Sequence, residues 1–275
     1  MLPEDYERSK TTMASMNTQL FADMTSNGFH YQYMHNMLHL NRGNGIFCEI
    51  SAYAGIEKTD WSWSCLGSDF DNDGYNDLFI TNGFKRDIWD KDTNKKIGEY
   101  MNTNEARSKS NQENAAYIVN MFQENKRANY IYQNNKDLTF NKKTKEWGLD
   151  TASFSNGAAV GDLDNDGDLD IIVNNIDGTA FIYKNNSEKT DNNYLKIKLV
   201  GPEKNPTGLG AKITLKYKDE IQYRDFKTVR GYLSSVEPIS HFGLGNNNII
   251  EEIKIVWPDG KENFLESIQA NQLLV

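Results

Sequence analysis

Several residue types that mark common protein classes are scarce in this sequence. Among its 275 residues are four histidines, five prolines and two cysteines. Long proline-rich linkers are therefore excluded. The cysteines, Cys48 and Cys65, form no Cys-x-x-Cys pair, and no histidine cluster accompanies them. We interpret them as two small buried thiols, while a disulfide between them stays open if the protein is exported.

Long apolar runs and an excess of positive charge are also absent. No run approaches the roughly 18 residues of a transmembrane helix, and Met1–Asp5 lacks the basic start and apolar core of a signal peptide. The net charge is −9, whereas a nucleic-acid-binding protein needs clustered lysine and arginine. With 38% hydrophobic and 12% aromatic residues, the chain can still form one large or two modest folded domains.

An internal repeat organises the first two thirds of the chain. Asp69–Gly74 realigns with Asp162–Gly167 at an offset of 93 residues, and Phe181–Asn185 matches Tyr130–Asn134 at an offset of 51. The shorter spacing predicts a basic unit of about 51 residues, enlarged in its first copy by an insertion at about 84–128. The further matches at the longer offset are Asn36 with Asn129, Leu38 with Ile131, Asn41 with Asn134, Phe47 with Phe140, and Gly55-Ile56 with Gly148-Leu149.

Each repeat has the pattern of short β-strands. Leu78–Ile80 and Ile171–Val173 are apolar runs that end in Asn and Gly turn residues. Short strands in units of this length are typical of β-propeller blades. The polar first half of the insertion predicts a long loop. Its second half predicts an amphipathic helix, because apolar residues recur there at helical spacing. These residues are Ala115, Ile118, Val119 and Phe122.

Two nine-residue segments have the pattern Asp-x-Asp-x-Asp-Gly-x-x-Asp and are called here the first loop (Asp69–Asp77) and the second loop (Asp162–Asp170). Closely spaced carboxylates repel one another unless a cation lies among them, and an all-oxygen set suits Ca²⁺ better than Mg²⁺. We therefore predict two calcium sites. The predicted ligands are Asp69, Asp71, Asp73, Tyr75 and Asp77 in the first loop and Asp162, Asp164, Asp166, Asp168 and Asp170 in the second, with Tyr75 and Asp168 contributing backbone carbonyls.

An EF-hand is excluded by the residues that follow. That motif needs a glutamate at position 12, where the two loops have Ile80 and Val173. Both residues belong to strand-like runs, so the loops join strands. The alternative is an Asp-rich surface turn without metal. It is disfavoured because the pattern occurs twice in register with the repeat.

The last third of the chain alternates apolar and polar residues, as half-buried strands do. Examples are Leu195, Ile197 and Leu199 between lysines, and a turn at Pro258–Gly260 that predicts a hairpin. We predict a small β-sandwich or barrel over residues 191–275. His241 lacks a marked catalytic partner and is interpreted as structural. The glycines of 208–210 and 243–245 lack dinucleotide or phosphate-loop spacing and are interpreted as turns or bulges.

These motifs resemble known families. Gly67–Leu78 is similar to an FG-GAP or VCBS repeat, as in integrin α-subunit propellers. Gly208–Ile213, His241–Gly245 and Val256–Lys261 resemble the ASPIC/UnbV domain. Together they resemble the bacterial relatives of cartilage acidic protein. Tyr31–Asn41 and Thr59–Trp63 resemble members from Bacteroidetes.

The resemblance implies an exported protein in which propeller blades precede an ASPIC/UnbV domain, with calcium at the Asp loops and no catalytic residues. The expected class is all-β. The expected organisation is a remnant of a preceding blade over 1–32, blades with a partly helical insertion over 33–190, and the β domain over 191–275. Because a closed propeller needs at least about four blades, we expect the chain to be a C-terminal piece of a longer protein.

Two functions from different classes fit this pattern. The first is a non-enzymatic, calcium-binding, secreted or cell-surface adhesion module whose partner is an extracellular protein or glycan. The alternative is a calcium-dependent carbohydrate-active enzyme, a lyase or hydrolase, or an accessory domain of one. An enzyme needs suitably spaced carboxylates free of metal, and the conspicuous ones here are assigned to calcium.

Overall fold

The computed structural model describes residues 2–12, 18–31 and 33–275. Strands account for 35% and helices for 18%, and the sheets are multiple and mainly antiparallel, with no closed barrel in this part of the chain. The predicted all-β class is confirmed. The helices are α1 (Tyr6–Thr12), α2 (Thr18–Ser26), α3 (Ser51–Ala54), α4 (Lys91–Met101), α5 (Asn104–Ser108) and α6 (Asn111–Met121). The strands are β1 (His39–Asn41), β2 (Phe47–Glu49), β3 (Ser62–Ser68), β4 (Asp77–Asn82), β5 (Phe84–Arg86), β6 (Glu124–Asn125), β7 (Tyr130–Asn134), β8 (Phe140–Lys142), β9 (Ser155–Gly161), β10 (Asp170–Asn175), β11 (Phe181–Tyr183), β12 (Asn193–Ile197), β13 (Lys212–Tyr217), β14 (Glu220–Asp225), β15 (Ser240–Gly245), β16 (Ile249–Val256), β17 (Glu262–Gln269) and β18 (Gln272–Leu274).

Two sheets have the strand order of propeller blades. Blade 1 is the four-stranded sheet β3-β4-β7-β8, and blade 2 is the three-stranded sheet β9-β10-β11. Their registers agree with the repeat. Leu78 lies opposite Tyr132 in blade 1, and Ile171 lies opposite Tyr183 in blade 2. The predicted partial propeller is therefore present, and its two offsets correspond to equivalent backbone pairings.

Apolar side chains fill both faces of blade 1. One buried cluster joins its Leu66, Phe79 and Ile131 to Ile171 and Val173 of blade 2. A second cluster packs on the opposite face, and its members are Ala54, Ile56, Ile80, Tyr130 and Tyr132. The segment containing α3 thus covers blade 1 on the side away from blade 2.

The insertion contains more helix than the sequence indicated. Its predicted second-half helix is confirmed as α6, but the predicted first-half loop is wrong because α4 and α5 occupy it. Each of the three helices begins at a side-chain N-cap, formed in order by Asp90, Thr103 and Ser110. An N-cap satisfies otherwise unpaired backbone amides, so these three capping residues mark helix starts that the polar composition of the segment obscured.

Two sheets enclose the core of the last third of the chain, here called the C-terminal sandwich (β12–β18). Sheet β14-β13-β16-β17 faces sheet β15-β12-β18, in which β12 and β18 pair in parallel. The predicted hairpin at Pro258–Gly260 joins β16 to β17, and residues 243–245 lie at a register shift, as expected for a bulge. The fully buried core residues include Leu195, Ile213, Leu215, Phe242, Ile250 and Ile253.

The cysteine interpretation is wrong. Cys48 and Cys65 are both free and exposed. All three residues of β2, which contains Cys48, are exposed, and Cys65 alternates with the buried Ser64 and Leu66 along β3. Strand alternation therefore directs Cys65 away from the core between the blades.

The described residues near the N-terminus form helices α1 and α2. Arg8 of α1 donates hydrogen bonds to Asp60 and Asp87, which fastens this helix to the rest of the chain. Residues 1, 13–17 and 32 of the proposed blade remnant lie outside the described residues. The assignment of 1–32 to a preceding blade, like the boundary at 190, stays a prediction.

Candidate metal sites

The two Asp-rich loops have the same backbone course. The first loop joins β3 to β4, and the second joins β9 to β10. Asn72 and Asn165 have φ of 59° and 63°, and Gly74 and Gly167 both have φ of 96°. Glycine suits the sharp bend because L side chains rarely adopt this conformation. The loops therefore join strands, as the sequence predicts.

Three carboxylates of the first loop converge. Asp69, Asp71 and Asp77 each present an oxygen within 4.8 Å of the others. Asp69 and Asp77 are only 2% and 1% exposed. Asp73, also a predicted ligand, points elsewhere: its Oδ1 accepts a hydrogen bond from the Tyr75 amide at 2.9 Å, and its Oδ2 pairs with Lys136 at 3.0 Å.

Burial makes this first cluster electrostatically unfavourable by itself. Burial, followed by repulsion from Asp73, raises the pKa of Asp69 well above its usual value and also raises that of Asp71. Burial raises the pKa of Asp77 to about 7. Within the described part of the chain, no lysine or arginine forms an ion pair with any of these three carboxylates. A bound cation would supply the missing counter-charge.

The aspartate at position 9 of each loop also accepts backbone hydrogen bonds, a role that the sequence spacing does not predict. Asp77 accepts hydrogen bonds from the amides of Phe70 at 3.1 Å and Asn134 at 2.8 Å. Its repeat partner Asp170 accepts from Leu163 at 3.0 Å and Asn185 at 2.8 Å. Position 9 therefore fastens each loop to the end of the third strand of its blade or, at Asn185, to the residues just after it.

The second loop has cationic side chains among its carboxylates. Asp162, Asp164 and Asp166 present oxygens within 4.8 Å of one another. Lys196 of β12 pairs with Asp162 at 2.5 Å, and Lys184 pairs with Asp164 and, at 3.2 Å, with Asp166. Lys184 lowers the pKa of the Asp164 carboxyl. The two loops are thus alike in backbone but different in charge balance.

Lys196 contradicts the alternation pattern of its strand. The sequence places it on the polar side of β12, yet the residue is only 6% exposed and points at the second loop. Asp162, its partner, keeps a buried Oδ1 without a hydrogen-bond partner among the described residues. Such an oxygen is suited to a metal ligand, since a buried polar atom without a partner is costly.

The remaining predicted ligand, Asp168, connects the two loops. Its Oδ1 accepts a hydrogen bond from Asn72 Nδ2 at 2.9 Å. Residue spacing within each loop does not predict this contact between the loops. Sequence reasoning also missed Gln133, which donates to Asp71 at 2.7 Å. Gln133 and Lys184 are equivalent under the offset of 51, so that offset could have identified both.

The C-terminal sandwich covers both loops. The Gly245 amide donates to the Asn72 carbonyl at 2.8 Å, and His241 Nε2 donates to the Gly167 carbonyl at 3.0 Å. Burial lowers the pKa of His241 to about 4, so the ring is neutral near pH 7 and its contact is structural. Any Cβ at Gly243 would overlap Asp69 Oδ2. The candidate sites therefore lie where blades and sandwich meet.

The donor chemistry fits a hard divalent cation. Each cluster supplies carboxylate oxygens only, and neither includes a histidine or cysteine. Oxygen ligands are those that Ca²⁺ and Mg²⁺ prefer. Both clusters can hold a metal ion. In each loop, the side chains of three of the five predicted ligands converge.

Two family models match parts of this chain, one within the blade region and one within the C-terminal sandwich. Residues 116–173 match the family model described as FG-GAP-like repeat. Residues 201–275 match the one described as ASPIC and UnbV. The resemblance inferred from the motifs is confirmed.

Curated relatives carry the name cartilage acidic protein 1. The human protein is 25% identical over 250 residues, which cover 82% of this chain and 37% of the relative. The Xenopus tropicalis protein is 26% identical over 250 residues, covering 82% of this chain and 38% of the relative. This chain thus spans less than two fifths of the length of these relatives. No helix among its described residues is long and apolar enough to cross a membrane.

Proposed function

We propose that this chain is a non-enzymatic, calcium-binding module of a secreted or cell-surface protein, and that it binds an extracellular protein or glycan. The FG-GAP-like and ASPIC/UnbV matches suggest an extracellular binding module. The relatives are named for cartilage, a tissue rich in extracellular matrix. Calcium in this proposal stabilises the loops at which the blades meet the C-terminal sandwich.

The observation that carries the calcium assignment is the first-loop cluster. Three converging carboxylates, two of them almost fully buried, have no cationic partner in the described part of the chain. Buried charges are normally paired or coordinate a metal. Ca²⁺ is preferred over Mg²⁺ because it accepts six to eight oxygens in flexible geometry, whereas Mg²⁺ requires a near-ideal octahedron.

The two loops are expected to differ in affinity. In the second loop, Lys184 and Lys196 already neutralise part of the carboxylate charge. Calcium must compete there with two ammonium groups, which weakens its net attraction to the loop. The first loop presents no such competition at Asp69, Asp71 or Asp77. We therefore expect the first loop to bind calcium about ten-fold or more tightly than the second.

Calorimetric titration of chelator-stripped protein with Ca²⁺ tests this proposal. Wild type is expected to bind two ions, Asp71→Asn to lose the tighter site, and Asp164→Asn to lose the weaker one. Asp259→Asn, in the distant β16–β17 turn, is the matched control and should bind as wild type does. Absence of calcium binding by wild type, or equal loss of both sites in either loop variant, would contradict the assignment.

A further inference from the structure

A cavity of about 270 Å³ lies between the blades and the C-terminal sandwich. Arg224 of β14 and Arg230, in the segment after β14, both line it. Neither arginine belongs to the calcium clusters, and no motif in the sequence singled them out. Two partly buried guanidinium groups in one cavity need counter-charge or hydrogen-bond acceptors nearby.

Both arginines donate to neutral acceptors. Arg224 donates to Asn76 Oδ1 at 2.9 Å and to the Tyr223 carbonyl at 3.3 Å, and its guanidinium lies over the Phe242 ring, 5.3 Å from the centroid. Arg230 donates to the Gly67 carbonyl. Across the described residues, neither guanidinium has a carboxylate within ion-pair distance. Each guanidinium carries five N–H donors, so these contacts leave donors to spare.

Carboxylates also line the cavity, but they accept hydrogen bonds from groups other than the two arginines. Glu237 accepts from the Asp162 amide at 3.2 Å, and Asp225 accepts from the Tyr223 hydroxyl at 2.8 Å. Asp69 accepts from the Gly74 amide at 2.8 Å. The acids therefore have donors, whereas the arginines lack acids at contact distance.

The surroundings of the two guanidiniums disfavour their charge. Burial lowers the pKa of Arg224 and that of Arg230. For Arg224, the negative charge of Asp69 partly offsets the effect of burial, and the positive charge of Arg230 adds to it. Arginine nevertheless stays protonated in proteins. An anion placed between the two groups would remove their mutual repulsion and use the free donors. Guanidinium forks match the oxygens of carboxylate, sulfate and phosphate in geometry.

We propose that the Arg224–Arg230 cavity binds an oxyanion carried by a small ligand, such as a carboxylate or sulfate group. The volume admits one such group with a carrier about the size of a single sugar. The bound oxyanion bridges blades and sandwich, since Arg230 holds Gly67 of blade 1 and Arg224 holds Asn76 beside the first loop. Asp69 of the first-loop cluster also lines this cavity, but neither arginine is a predicted metal ligand, and the proposal does not require that the loops bind metal.

Calorimetry with sodium sulfate, sodium phosphate and sodium acetate tests the proposal, with chloride keeping the ionic strength constant. The protein is stripped of metal and desalted, so the result does not depend on calcium. Wild type is expected to bind at least one of the three anions saturably, with one site per chain. Preference for sulfate or phosphate indicates a tetrahedral group, and preference for acetate indicates a carboxylate.

Variants then locate the site. Arg224→Gln and Arg230→Gln should each weaken anion binding about ten-fold or more, because a charge-assisted fork is lost. Arg230→Lys keeps the charge without the fork and should bind with intermediate affinity. Arg107→Gln, an exposed arginine of α5, is the matched control and should equal wild type.

Two results would refute the proposed anion site. Lack of saturable binding by wild type to all three anions refutes the site, as does wild-type affinity in both glutamine variants. Circular dichroism establishes that each variant is folded before its affinity is compared. If Arg224→Gln does not fold, Arg230→Gln and Arg230→Lys locate the site instead, because among the described residues the Arg230 side chain makes a single hydrogen bond, to the Gly67 carbonyl.

Discussion

At the scale of single residues, the carboxylates of the two loops differ in what neutralises them. In the first loop, Asp69 and Asp77 are buried with raised pKa values and have no ion-pair partner among the described residues, whereas two lysines pair with carboxylates of the second loop. Stability should therefore depend on pH and on calcium in ways that individual substitutions can separate. Two predictions belong to this scale.

The first concerns Asp77. Its native pKa of about 7 exceeds the unfolded value of about 3.9, so the native state binds more protons between those pH values. The Asp77 contribution is thus most favourable below about pH 4 and is lost as pH rises through about 7. In chelator, this difference is worth up to about 4 kcal/mol.

Urea unfolding of wild type and Asp77→Asn across this pH range measures the effect. The substitution also weakens the contacts to Phe70 and Asn134, but that loss is independent of pH. The stability difference between the two proteins should shrink as pH rises in chelator. In excess calcium, wild type should instead gain stability with pH, because the metal binds the deprotonated carboxylates. A constant difference in chelator would contradict the buried-carboxylate account.

The second concerns Lys196, which is buried against Asp162. Lys196→Met leaves that carboxylate without its counter-charge, so in chelator it should lower the free energy of unfolding by about 3–5 kcal/mol. In calcium the loss should be smaller, and the second loop should bind calcium more tightly, because Asp162 Oδ2 is released. Lys198→Met, at an exposed position just after β12, is the control. Equal losses in both buffers would show that Lys196 does not compete with the metal.

At the scale of elements, a buried amide side chain connects the helices of the insertion. Asn114 of α6 accepts from Tyr100 Oη at 2.7 Å and donates to the Ala106 carbonyl at 2.8 Å. Of the predicted apolar stripe, Phe122 is buried, whereas Val119 is 49% exposed. The one residue Asn114 therefore connects α4, α5 and α6.

Asn114→Ala should loosen these three helices together. Loss of two buried hydrogen bonds is expected to cost about 1–3 kcal/mol of local stability. Hydrogen exchange of residues 91–121 should become faster, while exchange in the blades and the response to calcium should not change. Asn120→Ala, on the exposed side of α6, should leave exchange as in wild type. Uniform acceleration over the whole chain would mean that the insertion does not unfold as a local unit.

At the scale of the whole molecule, the C-terminal sandwich closes over the acidic loops. Gly243 of β15 approaches so near that an added Cβ would overlap Asp69 Oδ2 and lie 2.6 Å from Asn72 Cα. Calcium affinity in the first loop and the attachment of the sandwich should therefore depend on each other. Thermodynamic linkage requires such coupling to act in both directions.

Gly243→Ala tests this coupling from the sandwich side. It should weaken calcium binding to the first loop and make the junction between blades and sandwich more sensitive to limited proteolysis. Both effects follow from displacement of Asp69 by the added methyl group. Gly98→Ala, at a helical position where a Cβ meets no neighbouring atom within 4 Å, is the control. Unchanged calcium affinity in Gly243→Ala would contradict the coupling.

Much of this architecture follows from the sequence by itself. The strand periodicity, the repeat offsets and the Asp-x-Asp-x-Asp-Gly spacing concern residues close along the chain, so local pattern is sufficient to predict the blades, the loops and the β-sandwich. The loop prediction failed at α4 because it rested on the polar majority of residues there and missed the N-cap at Asp90 and the helical spacing of Ile97, Tyr100 and Met101. It also failed for the cysteines, whose exposure depends on which face of a strand is covered.

Tertiary packing sets which cationic side chains neutralise the carboxylates of each loop and which residues surround the loops. Lys196 reaches Asp162 across 34 residues, and Arg230 reaches Gly67 across 163. No local periodicity records such contacts, because they arise only when the sandwich packs against the blades. Local spacing alone is therefore enough to predict that two clusters of carboxylates form. Folding determined which cluster lacks a counter-charge and placed two arginines in a shared cavity, since desolvation and charge pairing depend on neighbours distant along the chain.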